Sequence, residues 1–136
     1  MTIKITSDIQ KPLVKWSNKD FTSYYFNKLY FLTNKKVEIP PIAWQGFAGR
    51  IKGFRSKLNV SNKDYKNFID EVFVTFFVKK RYVPCFGSII SEKVWHIFNK
   101  YKGNSNEQFE ALQDQLYGNT ILFSKVSDFN KNGLYI

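Results

Sequence analysis

Apolar residues recur three and four positions apart along most of this chain, so the first expectation is a mainly α-helical fold. Ser17-Asn18-Lys19-Asp20 has the spacing of a capping box, and Phe21, Tyr24, Tyr25, Leu29 and Leu32 follow it on one helical face. Pro40-Pro41 ends a loop from Asn34 and suits a helix start just after it. Residues 42–58 then place Trp44, Phe47, Ile51, Phe54 and Leu58 at steps of 3, 4, 3 and 4. A third helix over 61–78 carries Tyr65, Phe68, Ile69, Val72 and Phe76, and a fourth opens at Ser91 with Val94, Trp95, Phe98 and Tyr101 before a stop at Gly103. Ser105 with Gln108 reads as the clearest capping box, heading Phe109, Leu112 and Leu116 up to Gly118.

Outside these helices, residues 1–16 read as an extended arm with alternating Ile3 and Ile5 and a break at Pro12. Thr120 to Phe123 reads as a short strand, and Asn132-Gly133 as a turn. The predicted architecture is mainly α, about five helices in one compact domain of 136 residues with a short C-terminal strand or hairpin. A winged-helix variant, with 120–136 as the wing, stays open. A plain helix-turn-helix from 61–78 and 91–102 fits less well, because its ten-residue connector exceeds the usual turn.

The letters Ser-Asn-Lys-Asp occur twice, at 17–20 and 61–64, and both following segments end in a double lysine, Lys35-Lys36 and Lys79-Lys80. A duplicated helix would explain this. Chance reuse of a good cap in a Lys/Asn-rich chain is the preferred reading, because the segments between do not repeat.

Charge changes the picture from fold to partner. Residues 1–103 hold 19 Lys and Arg against 7 Asp and Glu, whereas 104–136 hold 2 against 4, so a basic helical part (17–103) is followed by an acidic helix and an apolar tail. A formal +12 on the first part gives a lasting positive potential whose commonest partner is a phosphate backbone. A/T-rich codons also favour Lys, and 18 Lys against 3 Arg fits that bias; an acidic protein or an anionic membrane are the other partners to weigh. Few Arg means few bidentate guanine contacts, so weak sequence specificity is expected.

Two segments could carry the binding. In 42–58 the apolar face leaves Gly46, Gly49 and Gly53 clustered on the opposite side, with Arg50 and Lys57 along one edge and Lys52 and Arg55 towards the other. Each glycine inside a helix costs about 1 kcal/mol against alanine. A strip without side chains that lets a phosphate backbone come close would compensate for it; the plainer readings are a helix broken in two, or close packing of helix 17–33. The second segment is the loop Lys79-Lys80-Arg81-Tyr82-Val83-Pro84-Cys85-Phe86-Gly87-Ser88, where three cations precede two aromatics. Cations neutralise phosphate and Tyr82 or Phe86 could stack on an unpaired base, although Phe86 reads more readily as core. The tail residues Leu134, Tyr135 and Ile136 are candidates for docking on a protein partner, or for packing as a last strand.

Enzymatic chemistry finds little support. The single His96 has no flanking Cys or Asp and reads as a satisfied structural residue, and Asp64 with Glu71 falls short of the carboxylate cluster a metal nuclease needs. There is no nucleotide-binding glycine motif and no nucleophile with a base. One cysteine, Cys85, excludes an intramolecular disulfide, and with His96 it is far from a zinc site, so neither metal nor cofactor is expected. No apolar run reaches a membrane span and the N-terminus lacks a signal-peptide core, so a cytoplasmic protein is expected.

Residues 40–98 combine GRIKGFRSKL, DYKNFIDEVFVTFF, YVPCFGSIIS and VWHIF, an arrangement that resembles small replication-accessory proteins of phages and plasmids of low-GC bacteria. The resemblance implies a DNA-binding accessory or helicase-loading role and carries over no catalytic residue. The leading expectation is a non-enzymatic nucleic-acid-binding protein, DNA favoured, contacting the backbone through Arg50, Lys52, Arg55, Lys57, Lys79, Lys80, Arg81 and Tyr82. The alternative is an interaction module or inhibitor binding an acidic replication or transcription protein; a small nuclease using Asp64 and Glu71 is the third.

Overall fold

A computed structural model of the chain describes residues 11–34, 40–116 and 123–125. It is mainly α, with five α-helices in the order α1 (Asn18–Thr33), α2 (Pro41–Leu58), α3 (Asn62–Phe73), α4 (Glu92–Lys100) and α5 (Ser105–Leu116), and two short strands, β1 (Tyr82–Pro84) and β2 (Phe123–Lys125). The chain divides within α3 into two compact units, one ending at Lys66 and the other starting at Asn67.

In the first unit α1 starts as its sequence demands. The Ser17 Oγ accepts from the Asp20 N–H at 3.3 Å, and the Asp20 carboxylate accepts in return from the Ser17 N–H at 2.9 Å. Burial alone would raise the Asp20 pKa, but the Ser17 backbone bond, the Lys11 ammonium and the Ser17 hydroxyl together hold it below its ordinary value of 3.8. Stabilisation from this cap is therefore complete above the unfolded-chain pKa near ~3.9 and is lost as pH falls through the lower folded value. Urea midpoints followed from pH 5 to 2 should drop less steeply in Asp20→Asn than in the wild type; equal pH profiles would show that this carboxylate contributes no linkage.

α1 and α2 close on an aromatic core. Phe26 meets Trp44 and Phe47 at centroid distances of 5.7 and 5.4 Å, and Phe21 meets Tyr65 edge-on at 5.0 Å. Trp44, Phe47, Ile51 and Phe54 are buried as the spacing predicts, and α2 runs unbroken from Pro41 through all three glycines to the left-handed Asn59 cap. Before α1, the arm beyond residue 10 is a single 3₁₀ turn, Leu13–Lys15; residues 1–10 lie outside the described set.

The repeated Ser-Asn-Lys-Asp letters do more than start two helices. Ser61 caps α3 as Ser17 caps α1, its Oγ accepting from the Asp64 N–H at 3.2 Å. The Asn of each copy accepts a hydrogen bond from the same guanidinium, Arg55: Asn18 Oδ1 at 3.0 Å and Asn62 Oδ1 from the other terminal nitrogen. The aromatic that follows each copy also meets it, Phe21 at 4.8 Å and Tyr65 at 5.7 Å from ring centroid to the guanidinium carbon. The second and fifth positions of both copies thus meet on one group, the Arg55 guanidinium.

In the second unit the expected helix 61–78 changes character. α3 ends at Phe73, and Val74–Lys79 forms a π-helical turn, with more residues per turn than an α-helix, in which three consecutive side chains, Thr75, Phe76 and Phe77, are buried. The expected loop after it is structured too. Tyr82–Pro84 is a strand and Phe86–Ile90 a 3₁₀ turn, with Phe86 fully buried. β1 pairs antiparallel with β2, Tyr82 opposite Lys125 and Pro84 opposite Phe123. Of the expected strand Thr120 to Phe123 only Phe123 is described, and it opens β2, which pairs with the middle of the chain; residues 117–122 and 126–136 lie outside the described set. The expected Ser105/Gln108 box is displaced by one residue: Asn104 Oδ1 caps α5 by accepting from the Glu107 N–H at 3.1 Å. Gln108 is thereby released for a buried role, accepting from Thr75 Oγ1 at 2.8 Å and donating to the Glu71 carboxylate.

Candidate nucleic-acid interface

The unit boundary sharpens the charge asymmetry. Up to Lys66 the chain carries 13 Lys and Arg against 4 Asp and Glu, a formal +9, whereas from Asn67 on it carries 8 against 7, a formal +1. Basicity is a property of the first unit, and α2 is its most one-sided element: its 18 residues include Arg50, Lys52, Arg55 and Lys57 and no acid.

On the face of α2 away from the core, Gly46, Gly49 and Gly53 are exposed, and a Cβ built on any of them meets nothing within 4 Å among the described residues. Neither plainer reading of these glycines holds: the helix does not break, and α1 does not press against the strip. Arg50, Lys52 and Lys57 are exposed alongside it. Arg55 is not. Its Nε and one terminal nitrogen donate to the Val60 carbonyl at 3.3 and 3.2 Å, in addition to the two asparagines, and burial lowers its pKa, opposed by its neighbour Tyr65. An arginine with its fork occupied in this way serves the fold, so the surface set on α2 is three cations instead of four.

The other expected segment lies in the second unit and is held by α5. Tyr82 stacks on Phe109 at 5.8 Å with the planes 8° apart, and the Lys80 ammonium lies 5.3 Å from the same ring. One face of the tyrosine is therefore occupied. Lys79 and Arg81 are exposed, and Arg81 has φ of 61°, a left-handed conformation that the other two such non-glycine residues, Asn34 and Asn59, adopt more readily. Its N–H accordingly closes the π-helical turn onto the Phe77 carbonyl at 3.0 Å. The tail candidates Leu134, Tyr135 and Ile136 lie outside the described residues.

The acids of the nuclease reading are used elsewhere. Glu71 accepts from the Gly103 N–H at 3.2 Å and from Gln108, and Asp64 sits in the first turn of α3. No group of three or more His, Cys, Asp or Glu able to hold a metal occurs among the described residues. His96 is exposed on α4, and Cys85 is buried. No helix among the described residues is long and apolar enough to cross a membrane.

One cluster was missed in the sequence. On the first unit the Lys28 and Lys66 ammonium groups each lie 5.1 Å from the centroid of the Tyr24 ring, and Trp16 packs on the same ring at 5.2 Å. The Tyr24–Lys28 pair is readable as an i, i+4 contact. Lys66 arrives from α3 and has no local signature.

Fold and surface together define a strongly basic, mainly α-helical protein whose charge is concentrated on one unit. Compared with protein-family models, with curated proteins and with solved structures, the chain matches none of them.

Proposed function

We propose that the protein is a non-enzymatic nucleic-acid-binding accessory factor, DNA favoured, that grips the phosphate backbone through the exposed face of α2. The observation that carries this reading is the strip of Gly46, Gly49 and Gly53, open to solvent in an unbroken, acid-free helix and bordered by Arg50, Lys52 and Lys57. Removing three side chains from a helix face lowers its stability, and among the described residues no neighbour uses the space for packing. It does let a backbone of phosphates approach the helix closely enough for all three cations to pair with it. A role in replication or transcription of a phage or plasmid is the one that the resemblance of residues 40–98 suggests.

The test is fluorescence anisotropy of labelled single- and double-stranded DNA across salt. Replacing Arg50, Lys52 and Lys57 by Gln should weaken duplex binding about tenfold or more and make the log-log salt slope shallower by about 2.7, the value for three phosphates. Gly49→Ala with Gly53→Ala should raise stability by about 2 kcal/mol while weakening binding. Unchanged binding in both variants would refute the α2 interface, and no binding by the wild type at about 50 mM salt would end the nucleic-acid reading and direct the search to an acidic protein.

A further inference from the structure

Two ammonium groups from different helices converge on one ring in the first unit, and this geometry has no counterpart in the α2 surface. Lys28 and Lys66, both at 5.1 Å from the Tyr24 centroid, are no more than 10.2 Å apart, the sum of those two distances. Bringing like charges together costs energy. The ring quadrupole offsets part of that cost and also restricts both long side chains, so the entropy of fixing them is spent before any ligand arrives. Lys28, Lys66, Tyr24 and Trp16 are all half-buried, and partial exclusion of water strengthens the pull of each cation on an anion. A span of at most 10.2 Å lets the two ammonium groups reach neighbouring phosphates of one strand, which carries a charge every ~3.4 Å along a duplex axis.

Trp16 supplies the second requirement of strand binding. Its indole is fixed: Nε1 donates to the Lys11 carbonyl at 3.1 Å, and the ring meets Phe21 at 69° and Tyr24 at 54°. Neither neighbour lies parallel to the indole plane. A flat, positioned aromatic beside a pair of cations is the combination by which single strands are held, phosphates on the cations and an unpaired base on the ring. A duplex keeps its bases inside and has no use for the indole.

Resting on the nucleic-acid reading above, we propose that Trp16, Tyr24, Lys28 and Lys66 form a second contact site, for an unpaired strand, so that the protein holds single-stranded DNA more tightly than duplex of equal length. Lys28 and Lys66 take successive phosphates, Tyr24 braces them, and Trp16 receives a base.

The experiment uses the full chain with fluorescein-labelled oligo-dT and a duplex of the same length, followed by anisotropy across salt. Lys28→Gln with Lys66→Gln should weaken oligo-dT binding about tenfold and reduce its salt slope by about 1.4, two single-strand phosphates, with the duplex slope unchanged. Trp16→Leu should weaken oligo-dT binding by a similar factor and Trp16→Phe should restore most of it; urea midpoints of all variants show whether the fold is intact. Addition of unlabelled oligo-dT should quench the tryptophan emission of the wild type, and the quench should disappear in Trp16→Phe. Folded variants with wild-type oligo-dT affinity and slope, or equal losses on duplex, would overturn the strand site while leaving the α2 interface standing. Binding of neither probe by the wild type would remove both.

Discussion

Arg55→Ala is expected to cost the first unit about 3 kcal/mol, the largest effect of any single surface-reachable cation in the chain. Three acceptors depend on this guanidinium: the Val60 carbonyl, Asn18 Oδ1 and Asn62 Oδ1. Truncation leaves them without their charged donor and also removes the contacts of the planar group with Phe21 and Tyr65. Lysine keeps the charge and loses the fork, so Arg55→Lys should recover only about half of the loss. Asn62→Ala should exceed Asn18→Ala, because Asn62 Nδ2 also ties the arm to the helix by donating to the Leu13 and Trp16 carbonyls at 2.8 and 3.0 Å. Urea denaturation of the four variants gives the order Arg55→Ala, Asn62→Ala, Asn18→Ala in decreasing loss. An Arg55→Ala loss under about 1 kcal/mol would mean that the clasp is an exposed pair of ordinary strength. The same result bears on binding assays, since a DNA-binding defect in Arg55→Ala would report the fold and not a lost phosphate contact.

In the second unit the corresponding residue is Gln108. Its side chain is fully buried, and every polar atom is used: Oε1 accepts from Thr75, and Nε2 donates to Glu71 and, at 3.4 Å, to the Phe98 carbonyl. Gln108→Leu fills similar space but takes one partner from the Thr75 hydroxyl, which keeps the Ser105 Oγ at 3.3 Å, and one from the Glu71 carboxylate, which keeps the Gly103 N–H, so a loss of about 2 kcal/mol is expected. Adding Thr75→Val removes the hydroxyl that Gln108 serves and should return part of that loss, a coupling that a double-mutant cycle measures. Gln108→Glu sets a second carboxylate against Glu71 in place of a donor and should be destabilising at neutral pH. Strictly additive losses for Thr75→Val and Gln108→Leu would show that the two residues do not act together.

Much of this was open to reading in advance, and the reason lies in the range of the interactions involved. Helix starts at Ser17, Ser61 and Ser91 depend on a side chain and an N–H three residues on, and all three caps form as the letters indicate. The apolar face of α2 and its glycine strip follow from helical geometry alone. Where a competing contact lay far along the chain, local reading gave a different answer. Gln108 has the position of a capping partner, yet a buried hydroxyl from Thr75 and the Glu71 carboxylate hold it in the interior, and Asn104 takes over the cap. Residues 82–84 have the composition of a loop, and β2, some forty residues later, makes them a strand. Arg55 sits among the surface cations of α2 by count, and two asparagines 37 residues before it and 7 after it turn it inward.

By itself, then, the sequence determined the helical class, most of the helix starts, the basic first part and the glycine strip of α2, because each depends on residues within one or two turns of each other or on composition. Only the tertiary structure decided that the strip faces away from α1, which cations serve the fold and which the surface, that both Ser-Asn-Lys-Asp copies meet on Arg55, and that Lys66 joins Lys28 on Tyr24. These are meetings of groups on different helices, fixed by how whole elements pack, and no periodicity within one helix encodes the identity of a neighbour on another.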